Sequence, residues 1–332
     1  MDGRRCMPKR GEDMSQEEVV LAVRQVRQET PEVLSFEMIS GDGRPLPTYS
    51  PGAHITLRLP SGLSRSYSLL DDGLHHDCYR IATKREAQGG GGSIWMHDTL
   101  RVGQTVKSLP PANDFTLIEE AQHSVFFAGG IGITPILSMI TRLTSLGRPW
   151  SLYYTGTSRA RMAFVDKVEA LTNLGCGKVN LFFTGEGDAR CDLPSAISAA
   201  PDGTHFYCCG PNGLIDTFIE ACSARAPAFC HYERFAGNSE AATEGGYELL
   251  LSSSGRRLPV PEGKTILDVL LDAGVDVPYA CTQGVCGTCK IGVRSGVPDH
   301  RDECLSEEDR EANNAVIACC SGALSPVLEL DL

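Results

Sequence analysis

The sequence lacks a long unbroken apolar run. Its longest uncharged apolar stretch, 124–140, is interrupted by Gly129, Gly130, Gly132 and Pro135, which suits a strand, a loop and a helix better than a membrane span of about 20 apolar residues. The opening residues, MDGRRCMPKRGEDMSQEE, are charged and have no apolar centre of the secretory kind. They read as a flexible tail over 1–18. A basic excess is also missing: 30 Lys and Arg face 42 Asp and Glu, for a formal charge of -12. That balance argues against a nucleic-acid backbone as partner. Internal repeats and the Gly-x-Gly-x-x-Gly dinucleotide fingerprint are absent too. Cysteine, by contrast, is plentiful at fourteen residues. In a chain this long with no secretory signal, thiols are expected rather than staples, in a reducing cytoplasm.

What is present divides into stretches of different texture. Over 19–118, short runs such as VVLAVRQV, HITLRL and YRIATK are cut by PLPTYSPG, LPSG and DDG, the pattern of a small antiparallel barrel. Over 119–235, apolar strands (SVFFAGG, WSLYYTG, KVNLFFTG, HFYCCG) alternate with helical stretches, as in an open parallel α/β sheet. Residues 236–246 are small and polar without periodicity, and read as a linker. From 247 to 332 a strand, turn and strand precede TILDVLLDAGV, a helix expected to end at Gly274.

This last stretch holds Cys281-x4-Cys286-x2-Cys289, with Cys319 further on. Four thiolates suit iron, and the x4, x2 spacing is that of plant-type 2Fe-2S sites, whereas zinc usually takes two short Cys pairs. Gly284 and Gly287 let such a loop wrap tightly. Cys320 adjoins Cys319, and the register of IACC and SGAL selects Cys319 as the ligand. The other cysteines read as inert buried thiols, Cys209 excepted. From 247 onward, seven Lys and Arg face fourteen Asp and Glu. That is either a rim that steers a basic partner or an ordinary solvated face.

Upstream, Arg65-Ser66-Tyr67-Ser68 ends a barrel strand. An arginine can pair with phosphate, a tyrosine can stack on a flavin and a serine can bond its polar edge. Gly89-Gly90-Gly91-Gly92-Ser93 then leads into a helix and offers unshielded backbone N–H groups to a phosphate, or serves as a plain hinge. Gly129-Gly130-Ile131-Gly132-Ile133-Thr134-Pro135 follows an apolar strand and opens a helix, where backbone can approach a pyrophosphate. Cys209-Gly210-Pro211 stands at the carboxyl end of another strand, where open sheets place ligands.

On these motifs the chain resembles, from residue 19 to 332, the phthalate dioxygenase reductase family of the ferredoxin-NADP reductase superfamily. The resemblance implies three things in order: a flavin-binding β-barrel, a nucleotide-binding α/β unit and a C-terminal plant-type ferredoxin of β-grasp fold. It implies FMN, held by Arg65, Ser66, Tyr67, Ser68, Ala82, Thr83, Lys84, Gly91, Gly92 and Ser93. It implies a nicotinamide nucleotide at Gly130, Gly132, Pro135, Thr157, Ser158, Gly210 and Pro211, with Cys209, Thr134 and Phe235 beside the reacting rings. The implied role is an NADH-dependent reductase component that passes electrons through FMN and the 2Fe-2S cluster to the terminal oxygenase of a Rieske system. No Rieske Cys/His pattern or mononuclear iron triad occurs in the chain itself. Two departures stand out. Gly90 occupies the place of a family arginine, and Thr157-Ser158 stands where relatives often show Arg-Ser. Arg159 and Arg161 nearby are either contacts for a 2'-phosphate or ordinary solvated surface residues; NADH is expected and NADPH is the alternative. The expected state is a monomer without membrane attachment. A reductase for a cytochrome P450, and a non-catalytic zinc-binding or redox-sensing protein, are the competing readings.

Overall fold

A computed structural model describes residues 18–60, 63–74, 77–87, 91–223, 225, 229–235, 241–279 and 281–332. Most of the expected tail, Gly89, Gly90 and the first half of the expected linker lie outside these residues.

The first unit is a six-stranded antiparallel sheet of order β4-β3-β6-β1-β2-β5. Its strands are β1 (Val19–Thr30), β2 (Val33–Ser40), β3 (His54–Arg58), β4 (Ser64–Ser68), β5 (Tyr79–Lys84) and β6 (Thr105–Ser108), with α1 (Gly92–Asp98) between β5 and β6. The two outer strands meet through a bridge between Leu69 and Ile81, and the Leu70 N–H donates to the Arg80 carbonyl at 2.9 Å. The sheet therefore closes on itself, which removes its exposed edges. Leu21, Phe36, Met38, Ile55, Leu57 and Ile81 fill the interior.

The second unit is a parallel five-stranded sheet, order β11-β10-β7-β8-β9. It comprises β7 (Ser124–Gly129), α2 (Ile133–Ser145), β8 (Trp150–Gly156), α3 (Val165–Thr172), β9 (Gly177–Phe183), α4 (Leu193–Ala199), β10 (His205–Cys209), α5 (Asn212–Ser223) and β11 (Cys230–Glu233). Every residue of the central strand β7 is buried, because helices cover both faces of a parallel sheet. Leu70, Ala82, Phe115 and Leu117 of the barrel share one core with Ile133, Ile136, Met139 and Tyr207. That shared core locks the barrel to α2. Each such fully buried large side chain contributes roughly 1.5–3 kcal/mol. Cys222 and Cys230, expected as separate thiols, are joined as a disulfide between α5 and the edge strand β11. Packing of α5 against the sheet brings the two together, a proximity that strand and helix periodicity does not reveal.

The third unit is a mixed sheet, order β13-β12-β18-β14-β16, plus a two-stranded ribbon. Its elements are β12 (Tyr247–Leu251), β13 (Arg257–Val260), α6 (Ile266–Asp272), β14 (Lys290–Ser295), β15 (Pro298–Asp299), α7 (Glu307–Ala312), β16 (Ala315–Ile317), β17 (Gly322–Ala323) and β18 (Val327–Leu330). Thr265 caps α6 in a reciprocal pair with Asp268, and Gly274 turns the chain out of it at φ 73°. Residues 241–246 lie against this unit, with the Ala242 N–H donating to the Cys320 carbonyl at 2.7 Å. Among the described residues no helix is long and apolar enough to cross a membrane.

Candidate functional site: a cavity shared by three units

One cavity of about 650 Å³ opens where the three units meet. Its barrel wall is β4, β5 and the start of α1, which supply Arg65, Ser66, Tyr67, Ser68, Ala82, Thr83, Lys84, Gly92 and Ser93. Pairing of β3 with β4 sets Ser66 opposite Thr56, their hydroxyls 2.9 Å apart. Tyr67 lies beside the Thr83 hydroxyl, and burial pushes its phenol up to about 12. A side chain at Gly92 would meet Arg65 Cγ at 2.7 Å, so glycine is what allows the chain to lie on the arginine. Gly91, at φ 82°, makes the turn just before it. Ser68 Oγ is buried in this wall without a hydrogen-bond partner among the described residues. Such a group costs about 1–3 kcal/mol unless a ligand or water satisfies it.

The parallel sheet contributes Ile131, Thr134 and the Tyr232–Glu233–Arg234–Phe235 segment. Behind them two strand ends nearly touch. A Cβ on Gly132 would meet the Cys209 carbonyl carbon at 2.5 Å and Gly210 N at 2.7 Å. One on Gly129 would meet Pro211 Cδ at 2.5 Å. Gly130 makes its turn at φ 53°, and Pro135 sits in the first turn of α2. Gly130, Gly132, Pro135, Gly210 and Pro211 thus form one backbone surface at the carboxyl ends of β7 and β10, adjoining the cavity rather than lining it. Cys209 is fully buried, and its thiol faces the core beside Glu233 instead of the cavity. Thr157 and Ser158 follow β8, also off the cavity. There Arg159 is held by Glu169 at 2.9 and 2.5 Å and by Asp166 at 2.8 Å, and Arg161 by Glu32 at 2.5 Å.

Sequence reasoning missed Glu233. Its Oε2 is buried with no partner among the described residues, and burial, with Asp114 adding to it, pushes the carboxyl up to about 8. His54 and Asp114 share the same wall. His54 and Asp114 fall in no recognisable motif, and Glu233 stands two residues before Phe235 with nothing in the sequence to mark its burial.

The ferredoxin side of the cavity is the cysteine loop, through Cys281, Gln283, Val285 and Cys286, together with Glu303. Cys281 Sγ is within hydrogen-bond reach of Cys286 and Cys319, and Cys289 of Cys319. The Gln283 N–H points at Cys281 Sγ from 3.3 Å. Neighbouring thiols and these backbone donors hold Cys281 far below the usual thiol range and lower Cys289 as well. Cys286 and Cys319 are pushed up as the proton donors of these contacts. Among the described residues no three His, Cys, Asp or Glu side chains surround a point fit for one ion; the four sulfurs are linked pairwise instead. Cys320 turns toward the Ile317 carbonyl and lies against Gly284, where a Cβ would meet its sulfur at 2.6 Å. Four converging thiols with N–H donors aimed at sulfur fit an iron–sulfur cluster.

The fold and this cavity define a flavin- and iron–sulfur-dependent oxidoreductase. Residues 250–324 match the family of 2Fe-2S iron-sulfur cluster binding domains. Phenoxybenzoate dioxygenase subunit beta of Ectopseudomonas oleovorans is 46% identical over 301 residues, covering 91% of this chain and 93% of that protein. The solved structure of phthalate dioxygenase reductase, described as modular for electron transfer from pyridine nucleotides to the cluster, overlays with a TM-score of 0.78. It is 34% identical and covers 95% of this chain and 98% of that one. An intact type IV self-sufficient cytochrome P450 monooxygenase overlays at the same TM-score of 0.78 and 34% identity, over 99% of this chain and 43% of that one. The chain belongs to the phthalate dioxygenase reductase family. The match over residues 250–324 assigns a 2Fe-2S cluster to the third unit.

Proposed function

We propose that the chain is the reductase component of a two-component Rieske oxygenase or demethylase, a cytoplasmic monomer that delivers electrons from NADH to a separate terminal oxygenase. The carrying observation is the single cavity onto which Tyr67, Phe235 and the ligand pair Cys281 and Cys286 all open. Electron entry and exit then share one cavity. The work divides along the chain, with flavin at 19–118, nucleotide at 119–235 and cluster at 247–332, while 1–18 and 236–246 serve as tail and connection.

Arg65 holds the flavin phosphate together with the backbone of Gly91, Gly92 and Ser93. Tyr67 lies against the ring, and Ser66, Ala82, Thr83 and Lys84 border it. The Ser68 hydroxyl, without a partner among the described residues, would bond the polar edge of a bound ring. The close-packed glycine surface of Gly130, Gly132 and Gly210, with Pro135 and Pro211, receives the dinucleotide, and Thr157 and Ser158 meet its ribose. Thr134 and Phe235 would flank the nicotinamide, and Phe235, 40% exposed at the cavity, would shield a bound flavin ring from water. Cys209 shapes the floor through its carbonyl, on which Gly132 packs. Cys281, Cys286, Cys289 and Cys319 ligate the cluster. When bound, FMN takes two electrons as hydride and gives them up singly with release of one proton, which lets the cluster carry them outward one at a time.

The anaerobically purified protein should show flavin and iron–sulfur absorption, both bleached by NADH in preference to NADPH. Absence of both sets of bands overturns the reading. The overlay with a self-sufficient P450 supports a second reading, in which the acceptor is a haem protein. Comparing electron delivery to a purified Rieske oxygenase and to a purified P450 separates the two.

A further inference from the structure

We infer that Thr282 is a positioning residue that couples flavin binding to the seating of the cluster loop, acting through Arg65; the inference rests on the reading that Arg65 holds the flavin phosphate. Thr282 follows the ligand Cys281 and has φ 55°, a left-handed conformation that a β-branched residue rarely adopts. What holds it there is a relay through its hydroxyl. Arg65 Nη1 donates to Thr282 Oγ1 at 2.9 Å, and Thr282 Oγ1 donates to the Cys281 carbonyl at 2.7 Å. The direction is unambiguous, because a guanidinium can only donate. The arginine is itself fixed from the flavin side: it donates to the Ser64 carbonyl at 2.8 Å and lies under Gly92.

A second strut braces the other end of the same loop. The Glu303 N–H donates to the Gly284 carbonyl at 2.9 Å, and the Glu303 carboxylate faces Arg234 of the parallel-sheet unit at 3.7 Å. Arg234 is in turn held by Asp216 at 2.6 Å. The loop bearing Cys281 and Cys286 is therefore tied to each upstream unit by one arginine. Because one guanidinium serves both the phosphate place and the loop, occupancy of either strengthens the other by the same factor.

The test uses the full-length holoprotein with the variants Thr282→Val, Thr282→Ser, Thr282→Gly and Arg65→Gln. Three quantities are read: the FMN dissociation constant by fluorescence titration, the ratio of cluster-reduction to flavin-reduction rates in anaerobic stopped flow, and the EPR signal of the reduced cluster. Thr282→Val keeps the shape and loses the hydroxyl. It should weaken FMN binding about threefold to tenfold and lower the rate ratio several-fold with the EPR signal intact. Thr282→Ser should restore both values. Thr282→Gly relieves the backbone yet lacks the relay, so it should show the same two losses. FMN affinity and rate ratio within twofold of wild type in the Val and Gly variants, while Arg65→Gln still weakens FMN, overturn the inference alone. Unchanged FMN affinity in Arg65→Gln overturns the phosphate assignment and the inference with it.

Discussion

Gly132→Ala gives a sharp test of how the nucleotide surface is built. Gly132 sits at φ -62°, a conformation any residue accepts, so the cost is purely steric. An added methyl meets the Cys209 carbonyl carbon at 2.5 Å and Gly210 N at 2.7 Å, with the carbonyl oxygen closer still. These are backbone atoms in the tightest part of a parallel sheet and cannot rotate away. Reaching ordinary contact means opening the gap from 2.5 to 3.4 Å, which forces the ends of β7 and β10 apart. Overpacking of this kind costs about 1–3 kcal/mol, or roughly 2–12 °C in the transition of that unit. The displaced ends are the surface assigned to NADH, so KM for NADH in a flavin-reduction assay should rise about tenfold or more. Gly147→Ala is the matched control at the far end of α2. Its φ of 65° makes alanine strained, at about 1–2 kcal/mol, but nothing lies within 4 Å, so it should lower the melting temperature and leave KM alone. A Gly132→Ala protein with KM within twofold of wild type would refute the argument.

Three further outcomes follow from the same site. Serine at Cys319 should abolish the 2Fe-2S absorption and EPR signals, whereas serine at Cys320, whose sulfur turns toward the Ile317 carbonyl, should preserve them; the reverse result reassigns the ligand. Glu233 binds its proton more tightly in the folded flavin-free protein, at about 8 against 4.5 for an ordinary glutamate. Folding then takes up a proton between those values, and stability falls as pH rises from about 4.5 to 8, with a limiting slope of about 1.4 kcal/mol per pH unit. Melting profiles should show this fall flattened by Glu233→Gln, and parallel profiles count against it. Arg159 is withheld from a 2'-phosphate by Glu169 and Asp166. The double variant Asp166→Asn, Glu169→Gln should raise kcat/KM for NADPH by up to about tenfold, the scale of exposed ion pairs, with NADH little changed; no gain in NADPH use removes Arg159 from specificity.

The parts of the site legible in the sequence are those encoded within a few consecutive residues. Cysteine spacing is a property of one loop, and the glycines at 284 and 287 report its curvature, both with positive φ. Arg65 through Ser68 is one strand, and Gly129 through Pro135 one strand-to-helix turn. The barrel, the parallel sheet and the helix from Ile266 to Asp272 were equally readable, because strand alternation and helical periodicity are local signals. The edge strand Cys230–Glu233 was not: it has four residues, two of them histidine and glutamate, and its partner β10 lies more than twenty residues earlier. With that strand went Glu233, and with α5 packed beside it went the Cys222–Cys230 pairing.

The cavity shows why the remaining residues escaped notice. His54 opens β3, Asp114 follows β6, Glu233 ends β11 and Glu303 precedes α7. They meet at one cavity only because three separately encoded units abut. Cys209 shows how strand position and side-chain direction separate, since it stands at a strand's carboxyl end, where ligand contacts are expected. Its strand β10 lies inside the sheet between β7 and β11, so the thiol is buried in the core while its carbonyl lies against Gly132. Strand position locates the backbone, and the alternation of side chains across the sheet then fixes which group faces the ligand. The glycines at 129, 132 and 210 mark the proposed nucleotide surface by a different signal: Gly132 and Gly210 lie against backbone and Gly129 against Pro211 and Leu214, at distances that admit no side chain.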